Sequence, residues 1–565
     1  MREKLKIKGR STLFLAALLG ILVLVNVLAV RFFARADLTR DEVFTLSAAS
    51  VSVMRHLDDK LVVKAYFTKN LPGRFASLER GVRDVLEEYR QYSNGKMIVE
   101  VIDPAGDERE EKIAKGLGID KMPNPDIEKD QTTIKEGYRG IAFSYGQETA
   151  AIPSVDSAVG LEYLITTTIK KALGRKSTVG FLVGHGEPEI EPPNDQKRPL
   201  LPEEKKQRGA FRSVRNNLDI YDYKQVDLKK GDAEIPGDVD ALVIAGPTEP
   251  LTDKELYRID QFLLRGKSVA VFLGGVDVAM KKQEMALAPP EYTIQVNASR
   301  LRELLAAYGV DLGTSLVMDA QAASYTAQCP PMPIPLPRPY PPWPVATALD
   351  GAHPITFRLG SLTLIYPSPV RLAKGAAGGS RSAAEIAFSS GNSWSEPADA
   401  ASVEPCGVQM PPNLESGIPL AVALSGTFTS YFQGKKPPVA DAGPALARSA
   451  KPGRLVVVGS TGAPLDETIM YLARSDKRQA ANNFLFVQNT LDWMTSEDDL
   501  IAVRMKTVSD PPLERGSDAK VAFAKWGNIV GVPLLFALFG VVRWRLRVGG
   551  RRRRKAPAKE AGSNG

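Results

Sequence analysis

Residues 178–187 have the sequence TVGFLVGHGE, and this stretch decides the fold class. Its first six residues are apolar, small or β-branched and lack polar alternation, which is typical of a strand buried on both faces. A glycine-rich turn with one histidine follows directly, and Glu187 ends it. Because such turns lie at the carboxyl edge of parallel α/β sheets, the stretch predicts a sheet of that class.

The same pattern recurs farther along the chain. Three further apolar strands are predicted, each followed by glycine, at 241–245, 268–273 and 454–458. Between the first two, residues 252–264 have helical periodicity, with Thr252 as N-cap and Gly266 beyond the last turn. Apolar strands that alternate with amphipathic helices indicate a parallel sheet covered on both faces. We therefore predict a parallel α/β domain, whose last strand lies at 500–504.

Residues 40–155 contain a different order of elements: strand, helix, strand, helix and hairpin. This order resembles a thioredoxin-like unit. The redox motif Cys-x-x-Cys is absent from the sequence, so no thiol chemistry is expected there.

Residues 321–450 differ in composition from the segments on either side, being rich in proline and in small polar residues. This composition predicts a β-rich insertion, which divides the parallel α/β domain into a first part at 156–320 and a last part at 451–505. The insertion contains both cysteines of the chain, Cys329 and Cys406, and a disulfide between them would brace it.

The formal net charge of +8 belongs to the two ends of the chain. Residues 1–10 carry +4 and residues 543–565 carry +8, which leaves −4 for the residues between them. Each basic tail adjoins an uncharged apolar segment, at 11–30 and at 526–542. Because positive flanks of membrane helices stay cytoplasmic, we predict two transmembrane helices, two cytoplasmic tails and an extracytoplasmic body that a linker at 506–525 joins to the second helix.

These segments have alternative interpretations. Residues 34–36, Ala-Arg-Ala, resemble a signal-peptidase site, although the length of the apolar core and Arg31 favour an uncleaved anchor. Residues 526–542 could instead form a buried helix, and the tail after them could bind nucleic acid. The run of arginines directly after the segment favours a membrane anchor and no nucleic-acid partner.

Few residues offer catalytic chemistry. The sequence Gly266-Lys267-Ser268 lacks the preceding glycine of a phosphate loop, because position 261 is glutamine, so the chain is not a P-loop ATPase. Two cysteines and three histidines are too few for a metal cluster, and no metal or cofactor is expected. Ser460 follows a strand but lacks the first glycine of a nucleophile elbow.

The remaining candidates are Gly184, His185, Gly186 and Glu187, at the carboxyl end of the first predicted strand. Ligands of open α/β sheets bind at this edge, and histidine can act as an acid or a base. We interpret the four residues as a partner- or ligand-binding turn, with a purely structural turn as the alternative.

The layout as a whole resembles the GldG-like auxiliary components of ABC transport systems, a family first linked to gliding motility. The matching features are a membrane helix at each end and a set of short motifs at Asp37–Thr39, Phe44–Ser47, Val62–Phe67, Asp103–Pro104, Gly184–Glu187, Asn482–Asn483 and Asp492–Trp493. The resemblance covers most of residues 10–555 and is weakest over 320–450.

The resemblance implies a non-enzymatic subunit in the bacterial inner membrane, with a periplasmic body, beside a separate permease and a separate cytoplasmic ATPase. It also implies that the parallel domain is similar to glutamine-amidotransferase-like sheets. Their nucleophilic cysteine is absent, because the turn after Phe272 has the sequence Leu-Gly-Gly-Val. Two alternatives are an envelope hydrolase or amidotransferase-like enzyme that uses His185 and Glu187, and a stand-alone envelope scaffold.

Overall fold

The computed structural model describes residues 45–190, 210–280, 291–495 and 525–553, with short gaps, and five residues between 17 and 24. The gaps are 70, 72–74, 76, 129–130, 158–159, 175, 219, 231–232, 332–333, 358 and 440–444. Several predicted segments lie wholly or largely outside the described residues, namely the basic tails, the membrane helix at 11–30, the strand at 500–504 and the linker at 506–525. The chain divides into two compact units, Met1–Thr507 and Val508–Gly565.

The first unit begins with a four-stranded sheet. Its region contains, in chain order, α1 (Ala48–Arg55), β1 (Leu61–Phe67), α2 (Leu78–Tyr92), β2 (Met97–Ile102), α3 (Glu108–Gly116), β3 (Met122–Glu128), β4 (Gln131–Gly137), β5 (Arg139–Tyr145), β6 (Glu148–Ile152) and α4 (Leu161–Ala172). The sheet order is β2-β1-β5-β6, and β3 pairs with β4 as a separate hairpin. Strand β1 is parallel to β2 and antiparallel to β5, and β5 is antiparallel to β6. Helix α2 buries Leu78, Val82, Leu86 and Tyr89 because their spacing places them on one face.

The elements that follow α4 form an eight-stranded sheet, several smaller sheets and the helices that pack against them. The elements are β7 (Ser177–Val183), α5 (Arg212–Asn217), β8 (Tyr221–Asp227), β9 (Val239–Ala245), α6 (Asp253–Leu264), β10 (Ser268–Phe272), β11 (Val276–Met280), β12 (Tyr292–Val296), α7 (Leu301–Ala307), β13 (Val310–Leu312), β14 (Ser315–Asp319), β15 (Ala322–Ala327), β16 (Leu336–Ala346), β17 (Ala348–Leu349), β18 (Leu362–Thr363), β19 (Val370–Leu372), β20 (Ser382–Phe388), β21 (Ser393–Pro397), β22 (Pro419–Gly426), β23 (Gly453–Val458), α8 (Asp466–Ser475) and α9 (Lys477–Thr495). The sheet order is β17-β20-β22-β23-β10-β9-β7-β8.

Five adjacent strands of this sheet, β8-β7-β9-β10-β23, are parallel. The first of them in the chain, β7, lies between β8 and β9, so the direction of winding reverses there. In open α/β sheets, the crevice at such a reversal is the usual ligand-binding place. The turn after β7 therefore occupies the position where function is most often found.

Helices cover both faces of the parallel strands. Side chains alternate along each strand, so Val243 packs in the same cluster as Phe486 of α9, whereas Leu242 packs with Leu256 of α6. Each cluster continues across the neighbouring strands and is buried throughout. This two-sided burial explains why the strands are continuously apolar in sequence.

The segment 321–450 contributes directly to the large sheet. Its strands β17, β20 and β22 continue the sheet in antiparallel fashion, and β22 pairs with β23. Smaller sheets join β13 to β19, β14 to β21, and β15 to β16 and β18. The segment thus shares its core with the parallel strands.

A disulfide joins Cys329 to Cys406, whose Cα atoms lie 5.5 Å apart and which are 77 residues apart in sequence. Cys329 is buried. The bond ties the chain after β15 to the chain after β21.

Replacing both cysteines by serine is expected to lower the free energy of unfolding of the first unit by about 2–4 kcal/mol, because the bond closes a long loop. Thermal unfolding with and without a thiol reductant measures the effect. The reductant should lower the Tm of the wild-type chain and leave that of the double variant unchanged. Equal Tm values for the two chains under oxidising conditions would contradict the expectation.

The second unit contains a π-helical turn at Gly527–Gly531 and α10 (Val532–Arg553). Among the residues that the structure describes, no helix has both the length and the apolar character needed to cross a membrane.

Candidate functional site

The carboxyl edge of the parallel strands is built from glycine-containing turns. Gly184 follows β7, Gly246 follows β9, Gly274 follows β10 and Gly459 follows β23. The turn after β7 has a second glycine, Gly186. Its two glycines have φ angles of 110° and 87°, a region that side chains rarely adopt, so this turn requires glycine at both places.

His185 lies at the centre of this turn and is completely buried. Its carbonyl oxygen accepts hydrogen bonds from the backbone N–H groups of Thr248 (2.8 Å) and Glu249 (3.0 Å), which follow β9. Its own N–H donates to Glu187 Oε2 at 2.6 Å. The backbone of His185 therefore joins the turns of the two strands on either side of the winding reversal.

The imidazole of His185 lies between two carboxylates. Its Nε2 is 3.1 Å from Glu255 Oε1, and its Nδ1 is 3.5 Å from Glu187 Oε1. The other oxygen of Glu255 accepts from the N–H (2.6 Å) and hydroxyl (2.7 Å) of Thr252, which caps α6. The helix cap thus fixes the position of the carboxylate that contacts the ring.

The pKa values of the two carboxylates shift in opposite directions. Burial raises the pKa of Glu187 above its ordinary value, in spite of the hydrogen bond from His185. Burial also acts to raise the pKa of Glu255, but the two hydrogen bonds from Thr252 and the nearby His185 outweigh it and lower that pKa. The pair is therefore asymmetric, with Glu255 the stronger acid.

The turn after β7 leaves its two glycines exposed but packs closely against neighbouring side chains. A Cβ atom on Gly186 would lie 2.2 Å from Thr248 Oγ1, and one on Gly184 would lie 3.0 Å from Asp227 Oδ1. Glu187 is also buried. The four predicted site residues are thus brought together, but as an internally bonded turn whose ionisable groups contact each other rather than solvent.

Two further residues with possible catalytic side chains, His353 and Ser460, have structural surroundings. His353 packs its ring against Trp493 at 5.5 Å, and burial lowers the pKa of His353 to about 4. The hydroxyl of Ser460 donates to the carbonyl of Ile365 (2.6 Å) and accepts from its N–H (3.1 Å). No group of three or more potential metal ligands occurs among the described residues.

Sequence reasoning missed Glu255 and Thr248 as partners of His185. The pattern Thr252-x-x-Glu255 signals a capping box, and the structure has one. The pattern does not reveal that the second oxygen of the glutamate contacts a histidine 70 positions earlier in the chain.

Glu187→Gln is expected to change the pH dependence of stability. The raised pKa of Glu187 means that its contribution is fully present below the pKa of the unfolded chain and is lost as pH rises through the folded-state pKa. Glutamine keeps an acceptor for the N–H of His185 and does not titrate. The Tm of the variant relative to wild type should therefore increase as pH rises above the unfolded-state pKa of glutamate, about 4.3.

Glu249→Gln is the matched control, because its salt bridge with Lys229 lowers the pKa of Glu249. The contribution of Glu249 is present above its unfolded pKa and is lost as pH falls, so the relative Tm of this variant should change in the opposite direction. Parallel pH profiles for the two variants would contradict the assignment.

Comparison with known proteins places more than half of the chain in one family. Residues 176–490 match the family described as an ABC-type uncharacterized transport system, in its auxiliary-component model, and residues 40–144 match a domain of unknown function (DUF7088). No curated protein matches the chain. Among solved structures, the mmIFT52 N-terminal domain has 14% identity and a TM-score of 0.31, over 57% of this chain and 98% of that one.

A second solved structure is the exo-β-1,4-mannosidase Op5Man5 from Opitutaceae bacterium strain TAV5. It has 10% identity and a TM-score of 0.24, over 80% of this chain and 55% of that one. Similarities at these TM-scores support no conclusion about fold or function. The match over residues 176–490 is the informative one, and it shows that the chain belongs to the family of auxiliary components of ABC-type transport systems.

Proposed function

We propose that the protein is a GldG-like, non-catalytic subunit of an ABC transport system, anchored in the bacterial inner membrane, whose periplasmic body binds a partner or substrate while a separate ATPase supplies energy. The observation that carries the non-catalytic role is the burial of His185, since an acid or base needs access to its substrate. Its ring contacts two carboxylates of the protein instead.

Two observations support the membrane anchors. The basic residues cluster at both ends of the chain, beside the apolar segments 11–30 and 526–542. In the second of these segments, large apolar side chains are exposed both in the π-helical turn and in the first half of α10, among them Ile529, Leu535, Phe536 and Phe539. Side chains of this kind are stabilised when a bilayer covers them.

We further propose that residues 40–155 are thioredoxin-like and that the parallel sheet is amidotransferase-like. The mixed sheet order β2-β1-β5-β6 and the parallel order β8-β7-β9-β10-β23 support these assignments. The turn after β10 carries Gly274 and Gly275 where a nucleophile would be needed, which favours binding over catalysis. A disulfide between Cys329 and Cys406 suits an oxidising periplasm.

Affinity purification of the full chain from detergent-solubilised membranes tests the transport role. A permease and an ATPase should be recovered with it in fixed ratio, and His185→Phe, which breaks the carboxylate contacts, should reduce recovery only as far as it reduces the folded fraction. Recovery of the folded chain alone would favour a stand-alone scaffold. A hydrolytic activity that His185→Ala abolishes while the complex still assembles would favour the enzyme.

Topology is tested separately with reporter fusions. A fusion within residues 321–450 should report the periplasm, and a fusion at the C-terminus should report the cytoplasm. A periplasmic C-terminus would overturn the proposed arrangement.

A further inference from the structure

A cleft of about 360 Å³ opens beside the carboxyl ends of β10 and β23. Strands β11 and β12 follow β10 and supply one side of it, and α8 follows β23 and supplies another. Strands β15 and β16 and residues Ile365 and Tyr366, all in the segment 321–450, supply the rest. Five aromatic side chains and one carboxylate dominate the lining: Tyr292, Tyr325, Trp343, Tyr366, Tyr471 and Glu467. The cleft is separate from the buried turn at His185.

The aromatic rings meet at steep angles. Trp343 is nearly perpendicular to Tyr325 (86°, centroids 5.2 Å apart) and to Tyr471 (88°, 5.1 Å), and it makes an angle of 72° with Tyr366. The rings of Tyr325 and Tyr471 are close to parallel, at 20°. Rings in this arrangement form walls at right angles and thus a corner, rather than the flat platform on which a planar group stacks.

Two of the rings are held in place by the backbone. The hydroxyl of Tyr471 donates to the carbonyl of Ser324 and accepts from the N–H of Thr326, both at 3.2 Å. Tyr366 has a φ of 48°, a conformation that is unfavourable for a bulky residue, and its N–H donates to the carbonyl of Pro342 at 3.0 Å. Strain of this kind is concentrated at binding sites, where the surrounding structure maintains it.

The electrostatic character of the cleft favours a positive ligand. Glu467 lies in the first turn of α8 and is exposed. Of the described residues that line the cleft, it is the one that carries a charge. Burial raises the pKa values of Tyr292 and Tyr366, so their hydroxyls stay neutral at physiological pH. Aromatic faces carry negative partial charge, and together with one carboxylate they attract cations and disfavour anions.

We propose that this cleft binds an organic cation, namely an ammonium group that carries methyl or other small alkyl substituents. The substituents fill the apolar corner that Trp343 forms with Tyr325, and the charge lies within reach of the ring faces and of Glu467. The volume is at the lower end of the range for small-molecule sites, which suits a compact ligand. The proposal does not depend on the role in transport.

Titration of the full chain with choline and with 3,3-dimethylbutan-1-ol, its uncharged isostere, tests the proposal. Isothermal calorimetry in a polyoxyethylene detergent avoids competing ammonium and sugar headgroups. Choline should bind at least about ten-fold more tightly than the alcohol, since contacts with several rings and a carboxylate each favour the charge. Equal affinities, or no binding of choline at millimolar concentration, would overturn the proposal.

Variants identify the binding place. Glu467→Gln should weaken choline binding several-fold and leave the alcohol unaffected, and Trp343→Leu should abolish choline binding. Glu108→Gln is the matched control, because it also removes an exposed carboxylate from the first turn of a helix, outside the cleft. Trp343→Phe keeps an aromatic face and should retain part of the affinity, which covers the case in which the leucine variant fails to fold.

Two further outcomes count against the cation. Binding of a neutral sugar such as glucose, or of a proline-rich peptide, with loss in Trp343→Leu and no change in Glu467→Gln, would identify the cleft as an aromatic site for uncharged ligands. Choline binding that survives both substitutions would place the site elsewhere. Either result rejects the proposal.

Discussion

Asp260→Ala is expected to lower the free energy of unfolding by about 3–5 kcal/mol, because the substitution leaves several buried donors without an acceptor. The carboxylate of Asp260 is completely buried in α6. It accepts hydrogen bonds from the Tyr308 hydroxyl (2.8 Å), the Ser430 hydroxyl (2.7 Å) and the Tyr431 N–H (2.9 Å), and from the side chain of Gln261. Three of these donors, Tyr308, Ser430 and Tyr431, are distant from Asp260 in sequence, whereas Gln261 is its neighbour.

Urea unfolding of the chain, followed by circular dichroism, measures the change. Asp260→Asn retains the shape and one acceptor oxygen, so its loss should be smaller than that of the alanine variant. Asp311→Ala, at an exposed position on β13, is the control and should change stability by no more than about 0.5 kcal/mol. A loss below about 1 kcal/mol for Asp260→Ala would show that the hydrogen-bonded cluster does not hold the segment 321–450 to α6.

Gly275→Ala is expected to destabilise the fold by about 3 kcal/mol or more, which is at the upper end for overpacking. A Cβ atom on Gly275 would lie 1.9 Å from the carbonyl oxygen of Gly313, so one backbone segment must move. That movement would also disturb the hydrogen bond from the N–H of Gly275 to the Ser368 hydroxyl, at 3.0 Å. Both contacts lie at the carboxyl edge of the sheet, where the turn after β10 meets the chain from β13 to β19.

Gly391→Ala is the matched control, because a Cβ atom at that position has no neighbour within 4 Å. Its Tm should stay close to that of the wild-type chain, whereas the yield of folded Gly275→Ala should fall sharply. Comparable Tm values for the two variants would mean that the turn after β10 adapts to a side chain.

The parallel strands could be located from sequence because burial on both faces leaves a continuous apolar signal. The predicted strand at 178–183 corresponds to β7 at Ser177–Val183, and the one at 454–458 corresponds to β23 at Gly453–Val458. Strands of two or three residues, such as β17 and β18, are too short to show any periodicity. The sequence therefore indicated strands in the segment 321–450 without showing that they complete the large sheet.

The two candidate sites differ in how much of each could be predicted. The turn at His185 is contiguous in sequence, so its residues could be named, although its burial depends on Thr248 and Glu255 from other elements. The aromatic cleft is formed by residues scattered from Tyr292 to Tyr471. Single aromatic residues on separate strands, loops and a helix carry no local signal, and only the tertiary fold brings them together.

The pairing of β10 with β23 has a consequence for synthesis of the chain. About 180 residues separate the two strands in sequence, and β22, the partner of β23 on its other side, also comes late. At the usual translation speed, β10 waits roughly 10–35 s with one edge unpaired. The unpaired backbone N–H and C=O groups of this edge are an open template for strands of other nascent chains during that time. The polypeptide is thus most vulnerable to aggregation after residue 272 has emerged and before residue 453 does, so a chaperone that shields this edge would act in that interval.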